Sequence, residues 1–219
     1  MQRLMLLGDE AIGQGAIDGG MSGIYVYPGT PSTEIMEYVQ NSKEADEKEI
    51  QHEWSANEKT AMEAALGMSY AGKRSMVCMK HVGLNVAADG FVNSAITGAN
   101  GGLIIVSADD PSMHSSQNEQ DSRFYGKFAM IPIFEPANQQ EAYDMVKYAF
   151  EYSEKQQKTP RLTNYYIFAI MEAEHKSPVS YLRRKTQKTP EIVSRKINEE
   201  ETQNEKRISD RARIRKRSC

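Results

Sequence analysis

The sequence predicts an α/β fold, a mostly parallel, doubly wound sheet with helices on both faces, followed by an irregular charged C-terminal tail. Three observations carry this. Strand-like runs centred near residues 24, 50, 77, 104 and 133 alternate with helix-like segments over the first 160 residues, the pattern of strands buried on both faces and joined by helical crossovers. All 15 glycines lie between Gly8 and Gly126. The charge also splits: residues 1–174 hold 13 Lys+Arg against 24 Asp+Glu, whereas residues 175–219 hold 14 against 6, so a net charge of −3 conceals two segments of different character. The expected organisation is one folded domain over residues 1–160 and a poorly ordered tail over 161–219.

Gly8 to Gly20 reads as a helix with Ala11, Ile12, Ala16 and Ile17 inward. Gly13-Gln14-Gly15 falls inside it, so no strand-to-helix glycine turn supports a dinucleotide-binding fingerprint. Gly23 to Tyr27 is a short buried strand. Pro28-Gly29-Thr30-Pro31-Ser32 is a tight turn, with Pro31 suited to the first turn of a helix that runs to about Gln40. Asn41 to Lys48 is a polar loop. Glu49 to Glu53 is strand-like, and Glu58 then opens the strongest helix in the chain, through Met62, Ala65, Leu66 and Met68 to Gly72. Ser55-x-x-Glu58 has the form of a capping box, in which Glu58 returns a hydrogen bond to the backbone of Ser55.

Arg74 to Lys80 is another strand, and His81-Val82-Gly83-Leu84-Asn85 leads from it into a helix through Ile96. Gly101 to Ser107 is the clearest buried strand. It ends at Ala108-Asp109-Asp110-Pro111 and a long polar loop to Gln120. Ile131 to Pro136 is a short strand before the amphipathic helix Gln139–Ser153, whose apolar face is Ala142, Met145, Val146, Ala149 and Phe150. From Lys158 the pattern fails. Leu162 to Met171 admits a strand or a short helix, and polar, charged segments follow.

Several function classes are disfavoured. No run approaches the roughly 18 apolar residues of a membrane helix, and Met1 to Leu7 is too short for a signal peptide. Cys78 and Cys219 form no metal spacing and suit a reducing cytoplasm. The four histidines show no metal spacing, and Asp109-Asp110 before Pro111 reads as a turn or cap, so no metal ligand is expected. The basic tail is interspersed with Glu and reads as solvated, so neither nucleic acid nor a membrane is an expected partner. In a parallel sheet the site lies at the strand carboxyl ends. Here these are Tyr27–Thr30, Trp54–Glu58, Lys80–Asn85 and Ser107–Pro111.

Those ends read Tyr27-Pro28-Gly29-Thr30-Pro31-Ser32-Thr33-Glu34, then Trp54-Ser55-Ala56-Asn57-Glu58-Lys59, then Met79-Lys80-His81-Val82-Gly83-Leu84-Asn85-Val86-Ala87-Ala88-Asp89, then Ala108-Asp109-Asp110-Pro111 with His114-Ser115-Ser116-Gln117-Asn118-Glu119-Gln120-Asp121. In order and spacing, over about residues 4–160, they closely resemble the amino-terminal part of the large subunit of indolepyruvate:ferredoxin oxidoreductases, thiamine-diphosphate-dependent 2-oxoacid:ferredoxin oxidoreductases. The resemblance implies a thiamine-diphosphate-binding fold whose residues 1–160 hold the aminopyrimidine ring. It implies that Glu58 is the catalytic group that hydrogen-bonds the far ring nitrogen and so activates the cofactor. It also implies that Thr30, on the turn with Gly29, contacts the substrate carboxylate or the cofactor, that His81, Gly83 and Asn85 line the mouth near the reacting carbon, Gly83 by letting backbone approach closely, and that Asn118 and Gln120 close the loop side. Since Glu58 cannot serve cap and ring together, its side chain is expected to leave the box when cofactor binds.

The same resemblance implies an aryl 2-oxoacid such as indolepyruvate, coenzyme A and ferredoxin as reactants, with a diphosphate-binding domain and a small subunit as protein partners. Magnesium and [4Fe-4S] clusters belong to full-length members. The chain has no Gly-Asp-Gly motif, no glycine after Gly126 and no cysteine cluster, so it is expected to hold a half-site and bind neither group. The resemblance ends near Pro160, where a frameshift or gene break is the expectation, leaving a chain inactive by itself. Two classes of function follow: part of a working enzyme completed by separately encoded domains, or a non-catalytic remnant or interaction module that docks on an intact partner subunit.

Overall fold

Gly23–Val26, Ser75–Lys80 and Leu103–Asp109 are short runs rich in Ile, Val and Met, and almost every residue in them is buried. Such runs suit the centre of a parallel sheet covered on both faces. The computed structural model describes residues 3–156, 167–172 and 180–183, all within the unit Met1–Arg184. The strands are β1 (Arg3–Leu6), β2 (Gly23–Val26), β3 (Gln51–Trp54), β4 (Ser75–Lys80), β5 (Leu103–Asp109), β6 (Ile133–Phe134), β7 (Ile167–Glu172) and β8 (Ser180–Arg183). The α-helices are α1 (Gly8–Asp18), α2 (Thr33–Gln40), α3 (Lys43–Glu47), α4 (Glu58–Tyr70), α5 (His81–Thr97), α6 (Arg123–Ala129) and α7 (Gln139–Gln156).

Six strands form one sheet in the order β3-β2-β4-β5-β7-β6, with every neighbouring pair parallel. β1 and β8 make a separate antiparallel pair. Because β3 lies on one side of β2 and β4 on the other, the winding reverses beside β2. All the carboxyl ends share one edge, and the crevice at such a reversal is where ligands of open α/β sheets bind.

Register assigns the two faces. Tyr25, Val77 and Ile105 form one row. They pack with Met79 against Ala61, Met62 and Ala65 of α4 and Leu84, Ala87 and Phe91 of α5. The neighbouring rows, Ile24-Met76-Ile104 and Val26-Cys78-Val106, point the other way. There Ile12 of α1 and Ile104 line a small apolar crevice with Met145, Val146 and Ala149 of α7. Full burial of a side chain such as Met62 or Phe91 contributes about 2–3 kcal/mol.

Glycine sets how closely the helices approach. A Cβ on Gly15 would lie 2.8 Å from the backbone oxygen of Tyr143 in α7, and one on Gly13 would lie 2.8 Å from Cδ1 of Tyr38 in α2. The Gly13-Gln14-Gly15 pair therefore serves helix packing. At the amino edge of the sheet, the Arg74 guanidinium donates to both oxygens of Glu154 (2.6 and 2.7 Å) and to the carbonyl of Gly19, and it stacks 5.6 Å from the Phe150 ring centre. One side chain thus joins α1, α7 and the start of β4.

The predicted fold class and its five strands are present, with differences in detail. The loop expected over Asn41–Lys48 contains α3, whose start is capped by Ser42 Oγ accepting from the Ala45 N–H at 3.4 Å. Pro31 precedes the N-cap residue Ser32 and so stands outside the first turn of α2. Helix α6 and strand β1 are additions. Ile167–Glu172, where the sequence admits a strand or a short helix within the expected irregular tail, is a strand, as is Ser180–Arg183 further along that tail, and β7 fills the sheet between β5 and β6. The expectations for residues 184–219, and for the residues flanking β7, lie outside the described residues.

Candidate functional site

β3 ends at Trp54, and α4 starts after the three residues Ser55 to Asn57. Asn57 is the N-cap: its Oδ1 accepts from the Thr60 N–H at 2.9 Å and from the Thr60 hydroxyl at 3.2 Å. The capping box centred on Ser55 is therefore not formed. Ser55 lies two residues ahead of the cap with its hydroxyl buried and unpartnered, and Glu58 is the first helical residue. The expected competition between cap and cofactor does not arise. The Glu58 side chain instead lies on the first turn of α5. A Cβ added to Gly83 would fall 2.5 Å from Glu58 Oε1, 2.6 Å from Cγ and 2.8 Å from Cδ. α4 leads from β3 to β4 and α5 from β4 to β5, between strands that run in one direction. Their amino ends therefore meet beside this carboxylate, where free N–H groups and helix dipoles favour negative charge. Among the described residues nothing hydrogen-bonds or pairs with the Glu58 carboxylate.

His81, the first residue of α5, is 0% exposed. Its Nε2 lies 3.0 Å from the Asn118 carbonyl. A carbonyl only accepts, so Nε2 carries a proton. Nδ1 is buried without a partner. The ring is thus enclosed and ties the start of α5 to the loop at Asn118.

Two adjacent aspartates tie the two ends of that loop. Burial of Asp109 raises its carboxyl, against the hydrogen bonds from the Ser122 hydroxyl (2.5 Å) and N–H (3.0 Å) and the nearby His81. Burial opposes ionisation of Asp110 as well. There the Ser116 hydroxyl, the N–H groups of Ser115 and His114 and the Ser115 hydroxyl prevail and bring its pKa down to about 2. Of the turn or cap role read for this pair, Asp110 takes the turn: its carboxylate accepts from the His114 and Ser115 N–H groups of the loop and does not cap the 3-10 turn that it precedes.

On the other side of the edge, Gly29 and Thr30 follow β2. The Gly29 N–H donates to Thr33 Oγ1 (2.8 Å), and the Ser32 hydroxyl donates back to the Gly29 carbonyl (2.8 Å). The Lys80 stem passes this turn: a Cβ on Gly29 would lie 3.5 Å from Lys80 Cβ and 3.7 Å from its Cδ. Lys80 Nζ donates to the Ser115 carbonyl and lies 3.5 Å from Ser115 Oγ, which donates to the Thr30 carbonyl at 3.4 Å. Glu58 and Gly83 are in contact. Asn85 accepts from the Tyr125 hydroxyl of α6 at 2.6 Å, and Gln120 donates to Asn118 Oδ1 at 2.9 Å. Sequence reasoning does not single out Lys80, Ser115 or Tyr125. The one signal it offers is that Lys80 ends a strand on the site edge.

A further acidic pair lies on the opposite face. Burial first, then Glu34 and Glu10, push the Asp9 carboxyl up to about 7, and Glu34 Oε2 is buried without a partner. Burial first and Asp9 second also raise the Cys78 thiol, which keeps it unreactive. A carboxyl raised in the fold stabilises most below its unfolded pKa, and that contribution is lost as pH climbs through the folded value. Asp9→Asn is therefore expected to match the parent chain at about pH 4 and to exceed it by about 4 kcal/mol at about pH 8. Urea unfolding at both pH values checks this, and equal stabilities at the higher pH would refute it.

Among the described residues no group of three or more His, Cys, Asp or Glu side chains is arranged to hold a metal ion. No helix among them is long and apolar enough to cross a membrane.

A family model described as "Pyruvate flavodoxin/ferredoxin oxidoreductase, thiamine diP-bdg" matches residues 14–216. "Indolepyruvate oxidoreductase subunit IorA" of Pyrococcus abyssi is 54% identical over 154 residues, which are 70% of this chain and 24% of that protein. The protein of the same name from Archaeoglobus fulgidus is 52% identical over 156 residues, 70% of this chain and 25% of its own length. The chain thus spans about a quarter of the curated relatives that it matches. A solved structure, "2-oxoglutarate:ferredoxin oxidoreductase from Magnetococcus marinus with 2-oxoglutarate, coenzyme A and succinyl-CoA bound", superposes with a TM-score of 0.66 at 19% identity, covering 84% of this chain and 34% of that one. At that identity the likeness is one of fold.

Proposed function

The chain belongs to the thiamine-diphosphate-binding family of pyruvate flavodoxin/ferredoxin oxidoreductases, and from that premise we propose that it is the part of an indolepyruvate oxidoreductase that holds the aminopyrimidine ring, with Glu58 as its catalytic acid. The observation that carries this is the Glu58 carboxylate, laid on the Gly83 backbone beside two helix amino ends and without a partner among the described residues. A ring nitrogen arriving there meets a carboxylate oxygen with which to share a proton. The absent side chain of Gly83 leaves room for that carboxylate. Gly29, Thr30, Asn85, Asn118 and Gln120 stand around the same edge, and His81 supports the site through Asn118. When bound, thiamine diphosphate supplies the carbon nucleophile and the electron sink for decarboxylation of a 2-oxoacid. The residues of this chain orient the ring, keep water from it and hold a proton on its far nitrogen.

The relatives' name supports indolepyruvate or another aryl 2-oxoacid as substrate. The solved neighbour, a 2-oxoglutarate:ferredoxin oxidoreductase with coenzyme A and succinyl-CoA bound, supports an acyl-CoA product and ferredoxin as electron acceptor. In this reading the whole assembly acts in the cytoplasm, and its other parts hold the diphosphate, magnesium and iron–sulfur clusters. Mixed with the remaining three-quarters of an IorA-type subunit and its partner subunit, the chain is expected to support thiamine-dependent reduction of a viologen dye by indolepyruvate. Glu58→Gln is expected to lower that rate about a hundredfold or more while its melting temperature stays within about 2 °C of the parent. A rate within a factor of about three would remove Glu58 from the role. Turnover by the unassisted chain would overturn the half-site reading.

A further inference from the structure

Helices α1 and α2 pack against each other at Gly13, where an added Cβ would meet the Ile35 carbonyl oxygen and Val39 Cγ2 at 3.4 Å. Both helices begin at the carboxyl edge of the sheet, and each has an acid as its second residue, Asp9 in α1 and Glu34 in α2. The two carboxyls act on one another, and Asp9 also acts on the buried Cys78 of β4. Among the described residues no hydrogen bond or ion pair reaches either carboxyl, and Glu34 Oε2 is buried. The other charged and titratable groups around them are committed elsewhere. Glu10 accepts from the Leu7 N–H at 2.7 Å, Tyr38 of α2 donates to Gln14 Oε1 at 2.7 Å, and Lys80 at the end of β4 donates to the Ser115 carbonyl. Tyr143 of α7 donates to Asp18 at the far end of α1 at 2.6 Å, and Lys147 lies over the Tyr143 ring. A buried carboxylate oxygen without a donor is costly. The neighbour able to supply one is a protonated Asp9. Two helix amino ends favour one negative charge here, and a second is opposed by the first. Glu34 is also joined directly to the turn after β2. Thr33, just before it, accepts the Gly29 N–H, and the Ser32 hydroxyl donates to the Gly29 carbonyl, both at 2.8 Å. Ser32 thus spends its side chain on the turn and gives α2 no side-chain cap.

We propose that Asp9 and Glu34 share one proton and act as a pH switch on the turn at residues 28–32: with the proton between them the starts of α1 and α2 stay together and the turn is held, and its loss drives the starts apart and loosens the turn. This goes beyond the function proposed above and does not depend on Glu58. Burial, then Glu34, then Glu10 bring the Asp9 carboxyl up to about 7. The sign follows from that direction: the held form prevails below this value and is lost as pH climbs through it. The turn borders the carboxyl edge of the sheet, so the shape of that edge changes over the same interval. A switch of this kind works in the neutral range without a histidine.

The test is an NMR titration of the isotope-labelled full chain, without ligand, from about pH 4 to about pH 9, following the carboxyl carbons of Asp9 and Glu34 and the amide of Gly29. The Asp9 carboxyl carbon is expected to show its midpoint at about pH 7. The Gly29 amide is expected to shift with the same midpoint, since its N–H is held by Thr33. Glu34→Gln should lower the Asp9 midpoint by about half a pH unit or more, because a like charge has gone. Asp9→Asn, which is expected to fold more stably than the parent at about pH 8, should abolish the Gly29 inflection. An Asp9 midpoint near the ordinary value of about 4, or one that Glu34→Gln leaves unmoved, would rule out the shared proton. A Gly29 amide with no inflection at the Asp9 midpoint, or one whose inflection survives Asp9→Asn, would rule out the link to the turn. None of these outcomes bears on Glu58, whose role is decided by turnover of the assembly.

Discussion

Gly83→Ala is expected to abolish thiamine-dependent turnover in the reconstituted assembly while leaving the chain nearly as stable as before. The added methyl would lie 2.5 Å from Glu58 Oε1 and within 2.8 Å of its Cγ and Cδ. All three atoms belong to one flexible side chain that is only half-buried, so the clash is relieved by swinging Glu58 outward. The strain that remains, about 1 kcal/mol for a displaced rotamer, is offset by the roughly 1 kcal/mol that alanine contributes over glycine within a helix. The carboxylate, however, leaves the amino end of α5. The rate should fall to the level of Glu58→Gln, about a hundredfold or more below the parent, with a melting temperature within about 3 °C. Parent-like turnover from Gly83→Ala would mean that the position of Glu58 against α5 is not the one used in catalysis.

The same substitution at Gly15 is expected to do the reverse. Here the new methyl meets the backbone of α7: the Tyr143 oxygen at 2.8 Å, its Cα at 3.1 Å and its carbonyl carbon at 3.3 Å. No side-chain rotation relieves that contact, so α1 and α7 must separate over a seam that buries Ala11, Ile12, Tyr143 and Val146. Overpacking of this kind costs about 3 kcal/mol or more, and the helix-propensity gain returns about 1. A net loss of about 2 kcal/mol, seen as a lower urea midpoint at unchanged slope, is the expected result. Gly15 is remote from Glu58, so the fraction that remains folded should show parental turnover. A stability loss at Gly83 as large as that at Gly15 would break the distinction between a side-chain neighbour and a backbone neighbour.

Much of the sheet is legible in the sequence because parallel strands buried on both faces read as unbroken apolar runs, as Leu103–Val106 does. β1 escapes notice because Arg3–Leu6 is four residues long and its partner, β8, comes at the other end of the sheet-bearing unit. α3 escapes because one buried residue, Ala45, cannot mark a helical period. β7 is legible in part: Leu162 to Met171 admits a strand or a short helix, and the changed composition around it gives no period that chooses between them. The misplaced cap has a different origin. Ser55-x-x-Glu58 and Asn57-x-x-Thr60 are overlapping start signals of similar strength, and local pattern does not choose between them. Among the site residues, Glu58 stands out by its place at a strand-to-helix junction. Its contact with Gly83 depends on how α4 and α5 pack, and the junction at Lys80 depends on three segments more than 30 residues apart meeting at one point.

The position of β7 has a consequence for how the protein comes into being. β6 is made before β7, yet among the described residues its ladder partner is β7 and not β5. As the chain leaves the ribosome, Ile133–Phe134 has no strand to join until residues 167–172 follow it. Meanwhile the whole outer flank of β5, which later pairs from Ile104 to Asp109, stays unpaired. Such a flank invites pairing with other nascent chains. Premature termination anywhere between α7 and β7 should therefore yield a product that keeps Glu58 and Gly83 but aggregates as it is synthesised.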